Sequence, residues 1–299
     1  MYSVDKSRTC YRGMTEMPSG YLGEKAKSLL SFVGETYVFL GGILPEFLDE
    51  IGDGIDCVIL DTVHSLPGEI LDFLILLPRL SPDAVVILHD ISLNQLKQEY
   101  RFSDATNVLL HSVRGRKILN SLLDGPGLSD YPNIGAFQVT ADTWKCIIDV
   151  FLALTVRWSY MPNAAELSQY EGQIHRIYDE DFLWVFDRAI YMNARNIFPV
   201  PQGIEKDMRV ILYGAGSMGA AYWYQLKNFC HVIGWVDSNA SDRQSIFGLQ
   251  VSRPEEIDYS KAEVVIIAVK NEVAIAEIKK CLLGLGVPLE KIIHKGDAI

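Results

Sequence analysis

Four side chains capable of chemistry stand where two short apolar runs end. Cys57 to Leu60 runs into Asp61-Thr62-Val63-His64, and Ala84 to Leu88 runs into His89-Asp90. Short β-branched runs of this kind predict strands. In an open parallel sheet, ligands gather beyond the carboxyl ends of the strands. If the two strands are neighbours, Asp61, His64, His89 and Asp90 converge on one crevice. Carboxylate oxygens suit a hard divalent cation such as Mg²⁺, with waters completing its shell. A histidine three residues past the first acid is placed to act as base toward a substrate hydroxyl held on that metal. The competing reading makes both acids helix caps and both histidines ordinary loop residues.

A second constellation lies near the C-terminus. The apolar run Met208 to Tyr213 leads into Gly214-Ala215-Gly216-Ser217-Met218-Gly219 and then into a helical pattern. That context turns a weak G-x-G-x-x-G match into a specific one. The first glycine permits the tight turn, the second lets a pyrophosphate approach the backbone, and the third lets helix pack on strand. The helix N-terminus favours the anion. A further strand, Val232 to Val236, ends at Asp237, at the spacing where such folds place an acid on a ribose. Asp237 favours a ribose diol over a 2′-phosphate, and Arg243 pulls the other way. The competing reading makes Asp237-Ser238-Asn239 a strand-ending turn. Lys270-Asn271-Glu272 opens a helix and brings no hydride-transfer residues, so this module is expected to bind NAD(P) or a nucleotide sugar rather than to react.

The elements that must position these residues alternate in type. Strands are expected at Tyr2 to Val4, Tyr37 to Leu40 and Ile134 to Val139, besides the two above, with helices at Glu24 to Phe32, Pro45 to Ile51 and Pro67 to Leu77. This alternation predicts an α/β chain of two parallel-sheet, Rossmann-like domains. Helical patterns follow at Ala164 to Tyr178 and Glu180 to Asn196, where Phe182, Phe186 and Ile190 form a stripe suited to a core or a homo-oligomer interface. Phe198-Pro199-Val200-Pro201-Gln202-Gly203 breaks the pattern. The expected domains are therefore 1–198 and 207–299, joined by a linker at 199–206.

Composition removes several classes of function. The 299 residues are 49% hydrophobic and 22% charged, a globular balance with room for two domains. A net charge of −11 excludes a nucleic-acid partner, which needs clustered cations. The basic group Arg114, Arg116 and Lys117 reads as a solvated helix face. Five scattered cysteines, none in a C-x-x-C pair, fit a reduced cytoplasmic protein without disulfide or zinc framework. Neither a signal peptide nor a membrane-inserted segment is expected.

The stretch IDCVILDTVHSLPGEILDFLILLPRLSPDAVVILHD resembles the fourth-to-fifth-strand region of class I SAM-dependent methyltransferases, especially metal-dependent sugar and macrolide O-methyltransferases. The likeness extends back over YSVDKS, where Asp5 matches the acid that holds the SAM ribose, and more loosely forward to Val139. It implies a metal on Asp61, His89 and Asp90 and a base at His64. Histidine at position 89, where that family often has glutamate, leans the metal from Mg toward Mn or another transition ion. The family's first strand and glycine loop would precede Met1. The first domain is thus expected to be an incomplete methyltransferase sheet with added helices, and the resemblance implies activity of an intact parent rather than of this chain alone. Residues Arg209 to His294, through YGAGSMG, GWVDSN and VVIIAV, resemble nucleotide-binding domains of polysaccharide-biosynthesis proteins and sugar C-methyltransferases. Together these imply a methyltransferase of a sugar or sugar nucleotide in polysaccharide biosynthesis. The alternatives are a non-catalytic nucleotide-binding module and, third, an NAD(P)-dependent oxidoreductase.

Overall fold

The computed structural model describes residues 2–5, 38–96, 98–119, 133–241 and 245–295. The expected helix Glu24 to Phe32, Arg243 and the Asp5 side chain lie outside the described residues. The chain is a mixed α/β protein whose sheets contain parallel pairs. It divides into two compact units. The first comprises Met1–His64, Gly68–Leu110 and Arg114–Lys145, and the second Ser65–Pro67, His111–Val113 and Cys146–Ile299.

In the first unit, β1 (Tyr2–Asp5) pairs in parallel with β2 (Val38–Gly41), Asp5 opposite Gly41. A separate four-stranded sheet runs in the order β3 (Ile55–Leu60), β4 (Leu80–His89), β6 (Ile134–Gln138), β5 (Arg116–Leu119). The β3–β4 pair is parallel, as a strand–helix–strand crossover through α1 (Gly68–Leu76) requires. Leu60, the last residue of β3, stands opposite Leu88, one residue before the end of β4, so Asp61 and His89 follow side by side. Strand β6 runs antiparallel to both its neighbours, which makes this sheet mixed. Arg116 and Lys117 open edge strand β5 instead of lining a helix. Charge on such an edge discourages further strand pairing.

One face of this sheet is covered. Val86, Leu88 and Phe137 are buried there, and the Phe73 ring of α1 meets Phe137 edge-on at 5.4 Å. Every residue of α1 is buried, including Glu69 and Asp72. On the other face Ile59, Ile118 and Ile134 are exposed.

In the second unit, α3 (Ala164–Ile177) and α4 (Glu180–Ile197) accompany a six-stranded sheet; α2 (Ala105–Ser112) precedes them in the chain. The sheet contains β7 (Arg209–Tyr213), β8 (His231–Val236), β9 (Ser245–Ile246), β10 (Leu249–Ser252), β11 (Val264–Ile267) and β12 (Ile292–His294). Its order is β12-β11-β7-β8-β10-β9, parallel except for the β9–β10 hairpin. The order therefore reverses at β7. Helix α5 (Ser217–Leu226) follows β7, and α6 (Glu272–Gly284) follows β11. Ile275, Ile278 and Leu282 of α6 share a core with Ile211, Val265 and Ile267.

The compact units part at a different place from the expected linker. Helix α4 lies along α5, so both long helices belong with the C-terminal sheet. The Pro-containing segment is tied down: Gln225 Nε2 donates to Phe198 O at 2.8 Å, and its Oε1 accepts from Val200 N at 3.5 Å. Among the described residues no helix is long and apolar enough to cross a membrane.

Candidate functional site

At the ends of β3 and β4, Asp61, His64, His89 and Asp90 form an alternating ring of acids and imidazoles. His64 Nε2 lies 3.3 Å from both Asp61 Oδ1 and Asp90 Oδ2. His89 Nδ1 lies 3.2 Å from Asp61 Oδ1 and 3.5 Å from Asp90 Oδ2. Asp61 is exposed and His89 half-buried, whereas His64 and Asp90 are buried, so a ligand meets Asp61 and His89 first. The register of the two strands brings these four together.

The backbone at this edge is unusual. His64 and Asp90 both adopt left-handed conformations, with φ of 57° and 58°. Side chains with a Cβ rarely do so, and each such residue costs about 1–3 kcal/mol unless its surroundings hold it. The surroundings are specific. Asn133 Nδ2 donates to Asp90 Oδ1 at 2.6 Å, and Thr106 Oγ1 donates to Asp90 O at 3.2 Å. His64 N donates to Glu69 Oε1 at 2.6 Å. Asp207 and Phe247 are also left-handed, in the second unit.

Glu69 is the residue that sequence reasoning missed. It is 0% exposed, its Oε1 lies 3.4 Å from His64 Nδ1, and its Oε2 is buried without a hydrogen-bond partner. Thr62 Oγ1 donates to the second buried acid of α1, Asp72, at 3.4 Å. The available signal was two acids three residues apart in an otherwise wholly apolar helix, since unpaired acids are almost never fully buried. Glu69 raises the proton affinity of His64 above the ordinary histidine value; burial opposes this, and the charges of Glu69, Asp90 and Asp61 add to it.

This donor set fits a metal ion. Ligands at about 2.0–2.2 Å from a four-coordinate ion stand roughly 3.3–3.6 Å apart, close to the spacing of the ring. Asp61, His64 and His89 each offer an atom within 4.8 Å of the others. With His64 kept for proton transfer, the imidazole of His89 among the carboxylates suits Mn²⁺ or a later transition ion better than Mg²⁺. Asp5 ends β1, away from any pairing with β3 or β4 among the described residues.

The glycine loop of the second unit joins β7 to α5. Gly214 has φ +115°, and a Cβ there would stand 2.7 Å from Ala268 O. At Gly219 a Cβ would overlap Gly214 O, and it would come 3.1 Å from the Trp235 ring. Gly216, at the N-cap of α5, faces open space. Asp237 Oδ2 accepts from Ala215 N at 2.8 Å and its Oδ1 from Asn239 N at 2.9 Å, so the acid ties β8 to the loop. Trp235 Nε1 holds Gly214 O from beneath at 2.9 Å.

Residues 206–293 match a family described as C2185-like, N-terminal. The match to the C2185-like family runs from the turn before β7 into β12 and leaves the first unit outside it. No curated protein matches the chain.

Proposed function

We propose that the chain is a member of the SAM-dependent methyltransferases, acting on a sugar or sugar nucleotide in polysaccharide biosynthesis, with a Rossmann-type nucleotide-binding domain at 207–299. The observation that carries the first part is the ring of Asp61, His64, Asp90 and His89 beyond parallel strand ends, two of its members in left-handed backbone. Bound to Asp61, His89 and Asp90, a divalent cation would supply a hold on the acceptor hydroxyl and an offset to the carboxylate charge around His64. His64 Nε2 is the atom that accepts the hydroxyl proton. Glu69, at Nδ1, fixes the ring and stabilises the imidazolium that results.

The described residues make up only part of a SAM site. The family's first strand would lie between β1 and β3, yet β1 pairs with β2, and β3 has β4 as its partner among the described residues. Methyl transfer therefore requires groups beyond the ring, which by itself holds the acceptor and takes its proton. In the second unit, counting β7, β8, β10, β11 and β12 as strands one to five gives the order 3-2-1-4-5. That order, with a glycine loop at its switch point, supports a nucleotide ligand such as NAD(P) or a nucleotide sugar. Asp237 oxygens keep spare lone pairs for ribose hydroxyls. The free thiols of Cys57, Cys146, Cys230 and Cys281 suit a cytoplasmic setting.

Calorimetry tests the reading directly. Mn²⁺ should bind, with its heat lost in Asp61→Asn, and SAM should then bind to a chain with the family's first strand and glycine loop joined ahead of Met1. Absence of SAM heat removes the methyltransferase assignment. A second reading, a non-catalytic nucleotide-binding module, is favoured by the complete glycine loop. It predicts nucleotide affinity that survives Asp61→Ala and Asp90→Ala and disappears in Gly216→Val.

A further inference from the structure

Within the second unit, three side chains from two helices converge at ion-pair rather than hydrogen-bond distance. Glu171 and His175 stand one turn apart on α3, hence on one face. Asp187 meets them from α4. His175 Nε2 lies 4.0 Å from Glu171 Oε1 and 3.8 Å from Asp187 Oδ1. All three ligand atoms fall within 4.8 Å of one another. These separations exceed hydrogen-bond reach. The two His175 separations are only a few tenths of an ångström wider than the roughly 3.3–3.6 Å that a four-coordinate zinc ion imposes on its ligands.

One buried polar atom at the cluster lacks a hydrogen bond. Asp187 Oδ1, the atom turned toward His175, is buried and takes part in no hydrogen bond. Tyr224 of α5 is 2% exposed, and its hydroxyl neighbours the Glu171 carboxylate. Its proton affinity is raised well above the ordinary tyrosine value, first by burial, then by the charge of Glu171 and a hydrogen bond to that carboxylate, and least by the charge of Asp187. Burial also raises the proton affinity of Glu171, with Lys227 acting in the opposite sense. That lysine flanks Glu171, its Nζ 3.8 Å from Oε1 and 4.4 Å above the Tyr224 ring.

We propose that Glu171, His175 and Asp187 form a binding site for a zinc-type divalent ion that clamps α3 to α4, with the Tyr224 hydroxyl bonded to the Glu171 carboxylate. One imidazole and two carboxylates are a borderline donor set, suited to Zn²⁺ or Co²⁺ and poor for Mg²⁺ or Ca²⁺. Two anionic ligands neutralise the ion. Carboxylates that ligate a metal are themselves hydrogen-bonded as a rule, and the buried Tyr224 hydroxyl beside Glu171 supplies that bond. Lys227 acts at the site as a competing cation. The proposal is independent of the methyltransferase and nucleotide readings.

The test is competition between the metal-free full-length protein and a chromophoric chelator for Zn²⁺, with the Co²⁺ visible spectrum as a count of sites. His175→Ala and Asp187→Asn should each remove one Co²⁺ per chain and weaken that Zn²⁺ site more than 10-fold, with far-UV dichroism unchanged. Tyr224→Phe should weaken it about 10-fold, and Lys227→Met should strengthen it. Asp61→Asn should leave it untouched, which separates this site from the ring at β3 and β4. No Zn²⁺ binding at micromolar concentration, the same affinity in His175→Ala, or weaker binding in Lys227→Met would overturn the proposal. The last result would mean that the cluster is an ion-pair network built around the lysine.

Discussion

The two candidate sites solve the problem of a special backbone in opposite ways. In the loop after β7, glycines occupy the positions that side chains cannot, and packing explains two of the three: Gly214 passes close to Ala268, and Gly219 lies against Gly214 and Trp235. Space is left only over Gly216. At the ends of β3 and β4, residues with full side chains sit in left-handed backbone, and buried polar bonds hold them there. A glycine motif is thus largely a packing device with one ligand-facing position. Strained histidine and aspartate have no such packing excuse, and therefore point more directly to chemistry.

The largest expected effect lies within the glycine loop. Gly219→Val should cost at least about 3 kcal/mol in urea unfolding, because its Cβ would overlap a backbone carbonyl. Gly216→Ala should stay within about 0.5 kcal/mol. Equal losses at both positions would erase the distinction between packing and ligand glycines. Next comes Glu69→Leu, which leaves the His64 amide without its acceptor and the ring without its ion-pair partner and should cost about 2–3 kcal/mol. Asp237→Ala, which removes a partly buried amide cap, should cost about 1 kcal/mol by the same measurement.

A smaller difference tests the strain itself. His64→Gly should be more stable than His64→Ala by about 1 kcal/mol, since glycine accepts positive φ freely. The reverse order would show that the backbone there is relaxed. The smallest effect is one of pH. The folded-state proton affinity of His64 lies above its ordinary value, so its contribution is complete below about pH 6.5 and declines as pH rises through the higher folded value. In metal-free protein the urea midpoint of the wild type should therefore fall relative to His64→Gln as the solution becomes alkaline.

Local signals made much of this legible in the sequence. β-branched runs ending in acids located β3 and β4, and strand–glycine–helix context located β7 and α5. The spans of α3 and α4 were readable from periodicity to within a residue or two. Their partner was not, because an amphipathic stripe records that a face is buried but not against what. Phe198 to Gly203 has the composition of a linker, and only Gln225, distant in sequence, shows it to be fastened. Arg116 and Lys117 read as helix surface because an exposed edge strand carries no alternation to betray it. Glu69 escaped for a tertiary reason: its acceptor role exists only once the chain turns left-handed at His64.

Counting Mn²⁺ per chain by calorimetry in the wild type, Asp61→Asn and Asp90→Asn is the most direct trial of the ring at β3 and β4. Each substitution should lower the count by one ion while leaving nucleotide binding in the second unit unchanged. Identical counts in all three proteins would contradict a metal site at those strand ends and, with it, the role given to His64.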